Sequence, residues 1–243
     1  HGSYEEYYEI GYLKEKGTYS DGLKVGKWEE YHENGGKAAE TFYDEDVPVR
    51  TWVYYFPNAV VMKVIHFKDG EIDSTYLENH ANGRISVSGE YDKGERTGVW
   101  QNFHPTGRIY SLGEYQDDMK TGNWKYFSEA GVLIAEGKFV NDVEDGQWFF
   151  YYDSGKMRTI GSYVTGMEHG LWGHFHENGA LKREEQWTYG RLNDVTDFIL
   201  ASGDTIKDDG FSAGNGVVKQ YFDNGTVKEI TTYKNGKKEG SYK

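Results

Sequence analysis

The chain has no cysteine and only three prolines among its 243 residues. Without thiols there is no disulfide, no thiolate nucleophile and no cysteine-based metal centre. No stretch approaches the roughly 18 consecutive apolar residues of a membrane-spanning helix, and the first residues show no basic-then-apolar leader. Basic charge is also scarce. Lys and Arg number 27 against 40 Asp and Glu, a formal charge of -13 with the acids scattered along the chain. No basic stripe is available to neutralise phosphates, so nucleic acid is not expected as a partner and direct binding to acidic lipid is disfavoured. Apolar residues make up 37% of the chain, and rings account for 16%. That leaves too little Leu, Ile and Val for a conventional two-layer globule.

What is abundant is glycine, 32 residues, and aromatic rings set in a repeated phrase. GKWEEYHENG (26–35) recurs as GVWQNFHPTG from Gly98, GNWKYFSEAG from Gly122, GQWFFYYDSG from Gly146 and GLWGHFHENG from Gly170. Trp28, Trp52, Trp100, Trp124, Trp148 and Trp172 are separated by multiples of 24, and Tyr4 and Tyr76 fill the same phase. With that aromatic as repeat position 1, position 8 is glycine in every unit except at Ala59, and position 16 is aromatic in all ten. A fixed period of this length identifies an array of small repeated structural units.

Within a unit, positions 1 to 5 and 10 to 16 read as strands around Asn-Gly or a similar pair, a hairpin signal. A two-residue turn at positions 7 and 8 sets position 1 opposite position 14, which is glycine in half the units, so that a large ring covers bare backbone. The segment between hairpins reads as a polar, glycine-containing loop. The fold class predicted is all-β: a single elongated antiparallel sheet, a meander of about ten hairpins. At ~4.8 Å between strands it would be on the order of 100 Å long, with stacked rings as its core. Residues 1–195 carry the regular repeats, and 196–243 carry divergent repeats of the same continuous domain.

The pattern GxWxxYxxNG, with an aliphatic residue and an EGxY-like second strand after it, resembles the MORN repeat. It is most similar to the 24-residue bacterial variant of YwqK-type antitoxin family proteins. Units from Tyr4, Trp28, Tyr76, Trp100, Trp124, Trp148 and Trp172 carry the resemblance. The unit at Trp52 departs from it at Ala59 and Ile65, and the unit from Thr196 lacks its leading aromatic. The resemblance implies a partner-binding scaffold without catalytic activity, with toxin neutralisation or envelope assembly as the associated role. It also implies a bacterial source, with an exported or envelope location favoured over the cytoplasm. The array is expected to be a fragment of a longer one.

His32, His80, His104 and His176 share position 5, but rungs ~10 Å apart cannot share a zinc that each must approach within ~2.1 Å. They are read as half-buried rings at strand ends. His174 and His176, at i and i+2, are better placed for an ion, yet the pairing sets the cation Arg183 opposite His174. No metal or cofactor is expected. The carboxylate pairs Glu29-Glu30, Asp117-Asp118, Glu184-Glu185 and Asp208-Asp209 read as solvated surface, since a thin sheet offers no deep pocket to shift their titration. GVLIAEGK, ending at Lys138, misses the phosphate-loop spacing, and no GxSxG, HExxH or complete calcium loop occurs. No catalytic residue is expected.

Two runs break the polar-outside rule. WVYYFPNAVVMKVIHF from Trp52 and WFFYYDSG from Trp148 place rings or aliphatics on both faces. Tyr54, Phe56, Met62, Phe150 and Tyr152 are therefore the candidate partner-binding residues. The leading expectation is a scaffold that binds a protein. The alternative is a glycan- or cell-wall-binding module that stacks sugars on the aromatic ladder.

Overall fold

The computed structural model describes residues 1–208 and 210–242, with side-chain environments given through 239. Its described residues form strands and turns with no helix. The chain divides into two compact units, residues 1–119 and 120–243.

In the first unit, strands from Gly2–Tyr7 to Ile109–Gln116 follow one another, each pairing antiparallel with the next as a meander. The second unit takes up the strand Met119–Phe127 from Lys120 onward and runs to Arg191–Val195 in the same way. It then forms the two-stranded pair Phe198–Ile199 with Thr205–Ile206 and a four-stranded sheet between Phe211 and Tyr242.

The expected register holds, by a different route. Tyr4 pairs with Gly17, Trp100 with Gly113, Trp124 with Gly137 and Trp148 with Gly161, so position 1 does face position 14. The turn between them, however, is a three-residue loop. The position-5 N–H donates to the position-9 carbonyl and the position-8 glycine N–H returns to position 5, as in His32 with Gly36 and Gly35 with His32. Gly35, at φ 79°, takes the left-handed place that closes such a loop. A bulge after position 3 then inserts one extra residue into the second strand and restores the pairing that a two-residue turn would have given.

The tight two-residue turns sit instead in the segments expected to be loops. Asp21-Gly22, Glu45-Asp46, Asp69-Gly70, Asp117-Asp118 and Thr165-Gly166 are among ten such pairs, with first φ of 45–52° and second φ of 65–86°. Positive φ at both central residues is the primed turn that matches strand twist. The correction is physical: this turn needs two residues willing to be left-handed, and Asp, Asn or Gly at the second place meet that need at least as well as Asn-Gly at positions 7 and 8.

The rings are seated by a second bulge. Lys16 pairs with Glu29 and Thr18 with Val25, which leaves Gly26, Lys27 and Trp28 facing Gly17 alone. Gly26 has φ 66°, and Gly98, Gly122, Gly146 and Gly170 repeat it at 63–77°. The GxW glycine thus swings its tryptophan back over the preceding hairpin. A Cβ on Gly17 would overlap the Trp28 ring, and Gly89, Gly137 and Gly161 stand likewise under Trp100, Trp148 and Trp172. The ring expected to cover the glycine it pairs with therefore covers the glycine one hairpin earlier. Trp28, Trp100, Trp124, Trp148 and Trp172 are at most 6% exposed. Tyr19 meets Trp28 edge-on at 4.9 Å, and Tyr163 meets Trp172 at 5.0 Å. Each buried ring contributes on the order of 5 kcal/mol gross at ~25 cal/mol per Å².

Trp52 is the exception. Thr41 stands at the repeat position where the other seats have glycine, and the bulge residue is Arg50, left-handed at φ 64°. It is only half-buried, its indole N–H reaching the Phe42 carbonyl at 2.9 Å. In the second unit a further apolar core gathers Leu192, Phe211, Val218 and Tyr233, with Trp187 and Val195 packed on it.

Candidate binding surfaces

Both hairpin edges are laced by side chains that sequence chemistry would notice first. On one edge, position 5 donates to the position-4 carbonyl of the next hairpin: His32 to Tyr55 at 2.9 Å, His80 to Phe103 at 2.8 Å, His176 to Ile199 at 2.6 Å, and Tyr8 and Tyr152 through their hydroxyls. Beside them Asn34 donates to Pro57, Asn58 to Ala81, Asn82 to Pro105 and Asn178 to Ala201, while each Asn carbonyl oxygen receives an N–H of its own turn. On the other edge the turns stack. Asp46, Asp118 and Asp142 each donate a backbone N–H to the preceding hairpin and accept one back at the carboxylate, from Lys24, Arg96 and Lys120. Histidines, asparagines and aspartates here hold repeats together.

That accounts for the candidate metal ligands. His174 does pair with Arg183, with Thr159 Oγ1 at 3.2 Å from Nδ1 and Glu185 at 3.3 Å from Nε2. His176 has Asp223 at 3.7 Å from its other nitrogen. Among the described residues no three His, Cys, Asp or Glu converge as a metal site.

The carboxylate pairs separate. Glu29 lies within 3.1 Å of Lys16, Lys27 and Lys37, and Lys37 above all holds its carboxyl well below the ordinary range; Glu40 shares Lys27 and Lys37. Asp118 is held below its usual value by hydrogen bonds from Arg96. For Glu185, burial pushes the carboxyl up, and hydrogen bonds from His174 and Trp187 with the field of Arg183 outweigh it and lower it. Asp208 pairs with the buried Arg183 at 2.6 Å, and Asp209 lies outside the described residues. None of these pairs is set as an acid beside a base around an enclosed substrate-sized cavity.

The five candidate contact residues are all half-buried. In the first unit Tyr54 lies under Lys63 Nζ, 4.5 Å from its ring centre, and burial raises its hydroxyl pKa. Phe56 and Met62 lie at and beside a hairpin turn. In the second unit Phe150 stacks on Trp148 at 6.0 Å and Trp172 at 6.4 Å, and Tyr152 is a rung of the edge ladder, donating to Phe175 at 2.7 Å. Tyr54 and Phe150 thus belong to the ring-bearing face.

Sequence reasoning passed over two aliphatics that are more than half open. Val99 in the first unit is 52% exposed and Leu171 in the second 57%. Both are the x of GxW, which strand alternation turns away from the tryptophan; Lys27, Asn123 and Gln147 occupy that slot elsewhere. Leu171 lines a shallow cleft of about 270 Å³ with Glu184, Gln186, Asp194, Val195 and Thr196. Alternation applied to GVW and GLW would have found both.

Five stretches, residues 24–45, 96–117, 120–141, 144–164 and 215–235, match the family described as MORN repeat variant. Each begins in the strand leading into position 1 and ends at or just before the following inter-hairpin turn. No curated protein matches. Among solved structures, the chain is similar to the crystal structures of TcdB2-TccC3-Cdc42 and TcdB2-TccC3-TEV. Both are at 12% identity, covering 95% of this chain and 14% of theirs, with TM-scores of 0.19 and 0.18. A Photorhabdus luminescens Tc holotoxin pore matches at 9% identity over 98% of this chain and 16% of its own, TM-score 0.18. The chain spans about one seventh of each of those proteins.

Proposed function

We propose that this chain is a non-enzymatic repeat scaffold that binds a protein partner on its sheet surface. The observation that carries the reading is the exposure of Val99 and Leu171 on strands whose tryptophans, Trp100 and Trp172, are buried. Aliphatic side chains left more than half open on a flat sheet favour a partner that covers them. The half-buried Tyr54, Phe56 and Met62 of the first unit and Phe150 and Tyr152 of the second, each unit taken by itself, are further contact residues in this reading. A toxin or an envelope-assembly protein is the partner class that the MORN-like repeats suggest.

The glycan alternative needs open ring faces, and five of the six repeat tryptophans bury theirs. The test is affinity capture from the source organism with wild type, Val99→Lys, Leu171→Lys and Phe56→Glu chains, read by mass spectrometry. A partner held by wild type and lost by a variant with an unchanged melting profile supports the reading. Identical capture by all four removes these surfaces from it.

A further inference from the structure

A row of side chains crosses the second unit on the face opposite the tryptophans. Lys125 pairs with Glu136, Glu136 with Phe149, Phe149 with Ile160, Ile160 with Gly173 and Gly173 with Glu184, so consecutive strands set these residues side by side. Two residues further along the first strand of each hairpin runs a second row: Phe127 with Leu133, Tyr151 with Met157, and Phe175 with Leu181. The Tyr151 hydroxyl donates to Glu136 at 2.8 Å, and a Cβ on Gly173 would touch the Phe175 ring at 3.4 Å and Ile160 at 3.5 Å, so both rows share one side of the sheet. Leu171, 57% exposed, stands on that side too.

The first row is apolar at its centre and charged at its ends, with Lys125 and Glu136 at one and Glu184 at the other. The second row is apolar throughout. Phe149, Ile160, Tyr151 and Met157, at the middle of the two rows, are only half-buried.

The order of these rows is self-complementary. A two-fold axis parallel to the strands, placed above the midpoint between Phe149 and Ile160, lays one copy of the face on another with the rows reversed. Phe149 then meets Ile160, Glu136 meets Gly173 and Lys125 meets Glu184, each contact occurring twice. In the second row Tyr151 meets Met157, Phe175 meets Leu133 and Phe127 meets Leu181, so every ring lies on an aliphatic side chain. The strands of the two sheets stay aligned, as in face-to-face sheet packing. An axis running across the strands would instead set Lys125 on Lys125 and Glu184 on Glu184, a like-charge arrangement that this one avoids. Strand spacings of ~4.8 Å and ~3.4 Å per residue give a footprint on the order of 500 Å² per copy, ~1,000 Å² in all, which reaches the lower bound for a specific interface.

We propose that the second unit binds a second copy of this chain through this face, with Lys125 of each copy on Glu184 of the other. The inference rests on the reading of the Leu171 side of the sheet as a protein-binding surface, and it names the protein. So small a footprint places the dimer in the micromolar range.

The test is sedimentation equilibrium of the purified full chain in a concentration series from about 1 μM to about 200 μM. Wild type should show a monomer–dimer equilibrium, and Ile160→Glu should abolish it. Lys125→Glu and Glu184→Lys should each weaken it about tenfold, because the contact is made twice. Combined in one chain they should restore it. Within one copy the two residues stand five strand spacings apart, ~24 Å, and can meet only across the interface. Circular dichroism and thermal melting check that the variants fold. A chain that stays monomeric, a dimer that survives folded Ile160→Glu, or a double variant no tighter than the single ones overturns the proposal. A monomeric chain that captures another protein and loses it with Leu171→Lys also overturns the second copy, while the protein-binding reading stands.

Discussion

Trp28 lies on Gly17, although the backbone of Gly17 pairs with Tyr4. Trp28, Trp100, Trp148 and Trp172 are each the lid of the hairpin before their own, so burial there couples neighbours rather than completing a unit. A single hairpin is marginal in water, and this arrangement makes the interface between hairpins the place where apolar surface is removed from solvent.

Gly161→Ala should destabilise the second unit by about 3 kcal/mol or more, because the new methyl overlaps Trp172 and neither the paired strand nor the seated ring can yield easily. Gly179→Ala, whose Cβ meets nothing within 4 Å but whose φ is 91°, isolates backbone strain alone and should cost about 1–2 kcal/mol. Urea unfolding of the two variants compares them. Equal losses would mean that the seat is not packed as described.

Arg50 occupies the left-handed bulge position that is glycine in the Trp28, Trp100, Trp124, Trp148 and Trp172 hairpins. Relief of that strain predicts that Arg50→Gly raises stability by about 1 kcal/mol, less whatever the guanidinium gains over Phe42 at 5.5 Å. The reciprocal Gly26→Arg should lower it. A rise in midpoint for the first and a fall for the second, measured by thermal melting, is the expected pair of signs.

The phase of the tryptophans and the register of the hairpins were legible because both follow from a strict 24-residue period and the two-residue alternation of strands. The turn types were not. Asn-Gly at positions 7 and 8 signals a primed two-residue turn, but here the glycine closes a three-residue loop and Asn34 spends its side chain on its own turn and on the Pro57 carbonyl. Glu45-Asp46 looks unlike a tight turn, yet Asp46 adopts it while receiving the Lys24 N–H, a bond to a neighbouring hairpin that no local pattern encodes. The ring-rich runs at Trp52 and Trp148 were visible as anomalies. Their half-burial depends on which hairpin each ring leans toward, a tertiary fact set by the bulge at the GxW position.

Asn178 serves its own turn at Ala180 and the next hairpin at Ala201, so Asn178→Ala removes two hydrogen bonds at once. Exposure limits the effect to about 1–2 kcal/mol. Asn178→Asp keeps the acceptor for Ala180 and loses the donor to Ala201, and should fall between wild type and alanine. If the aspartate variant matches wild type in urea midpoint, the bond between hairpins contributes nothing.

Glu29 sets an acid limit in the first unit. Hydrogen bonds from Lys37 first, then Lys16 and Lys27, hold its folded-state carboxyl below the unfolded value, so their contribution is present above the ordinary Glu pKa of ~4.3 and is lost as pH falls toward the lowered one. Wild type should therefore lose more stability between pH ~6 and ~3 than Glu29→Gln, and added salt should shrink the difference. Parallel slopes for the two proteins would show that the three lysines do not act through Glu29.

Arg183 lies far from water at 1% exposure, bonded to Asp208 at 2.6 Å and to the Lys219 carbonyl at 3.0 Å, with its Nε unpartnered. The Asp208 side chain is 5% exposed, so both charges have left solvent. Their mutual attraction roughly offsets desolvation, while either charge alone would stay buried without compensation. Asp208→Asn should accordingly cost about 3–5 kcal/mol, and Arg183→Met combined with Asp208→Leu should recover most of that loss. The order of stabilities, wild type close to the double variant and both well above the single one, follows only if the pair is buried and mutual. A single variant as stable as wild type in guanidinium unfolding would place Arg183 at the surface instead.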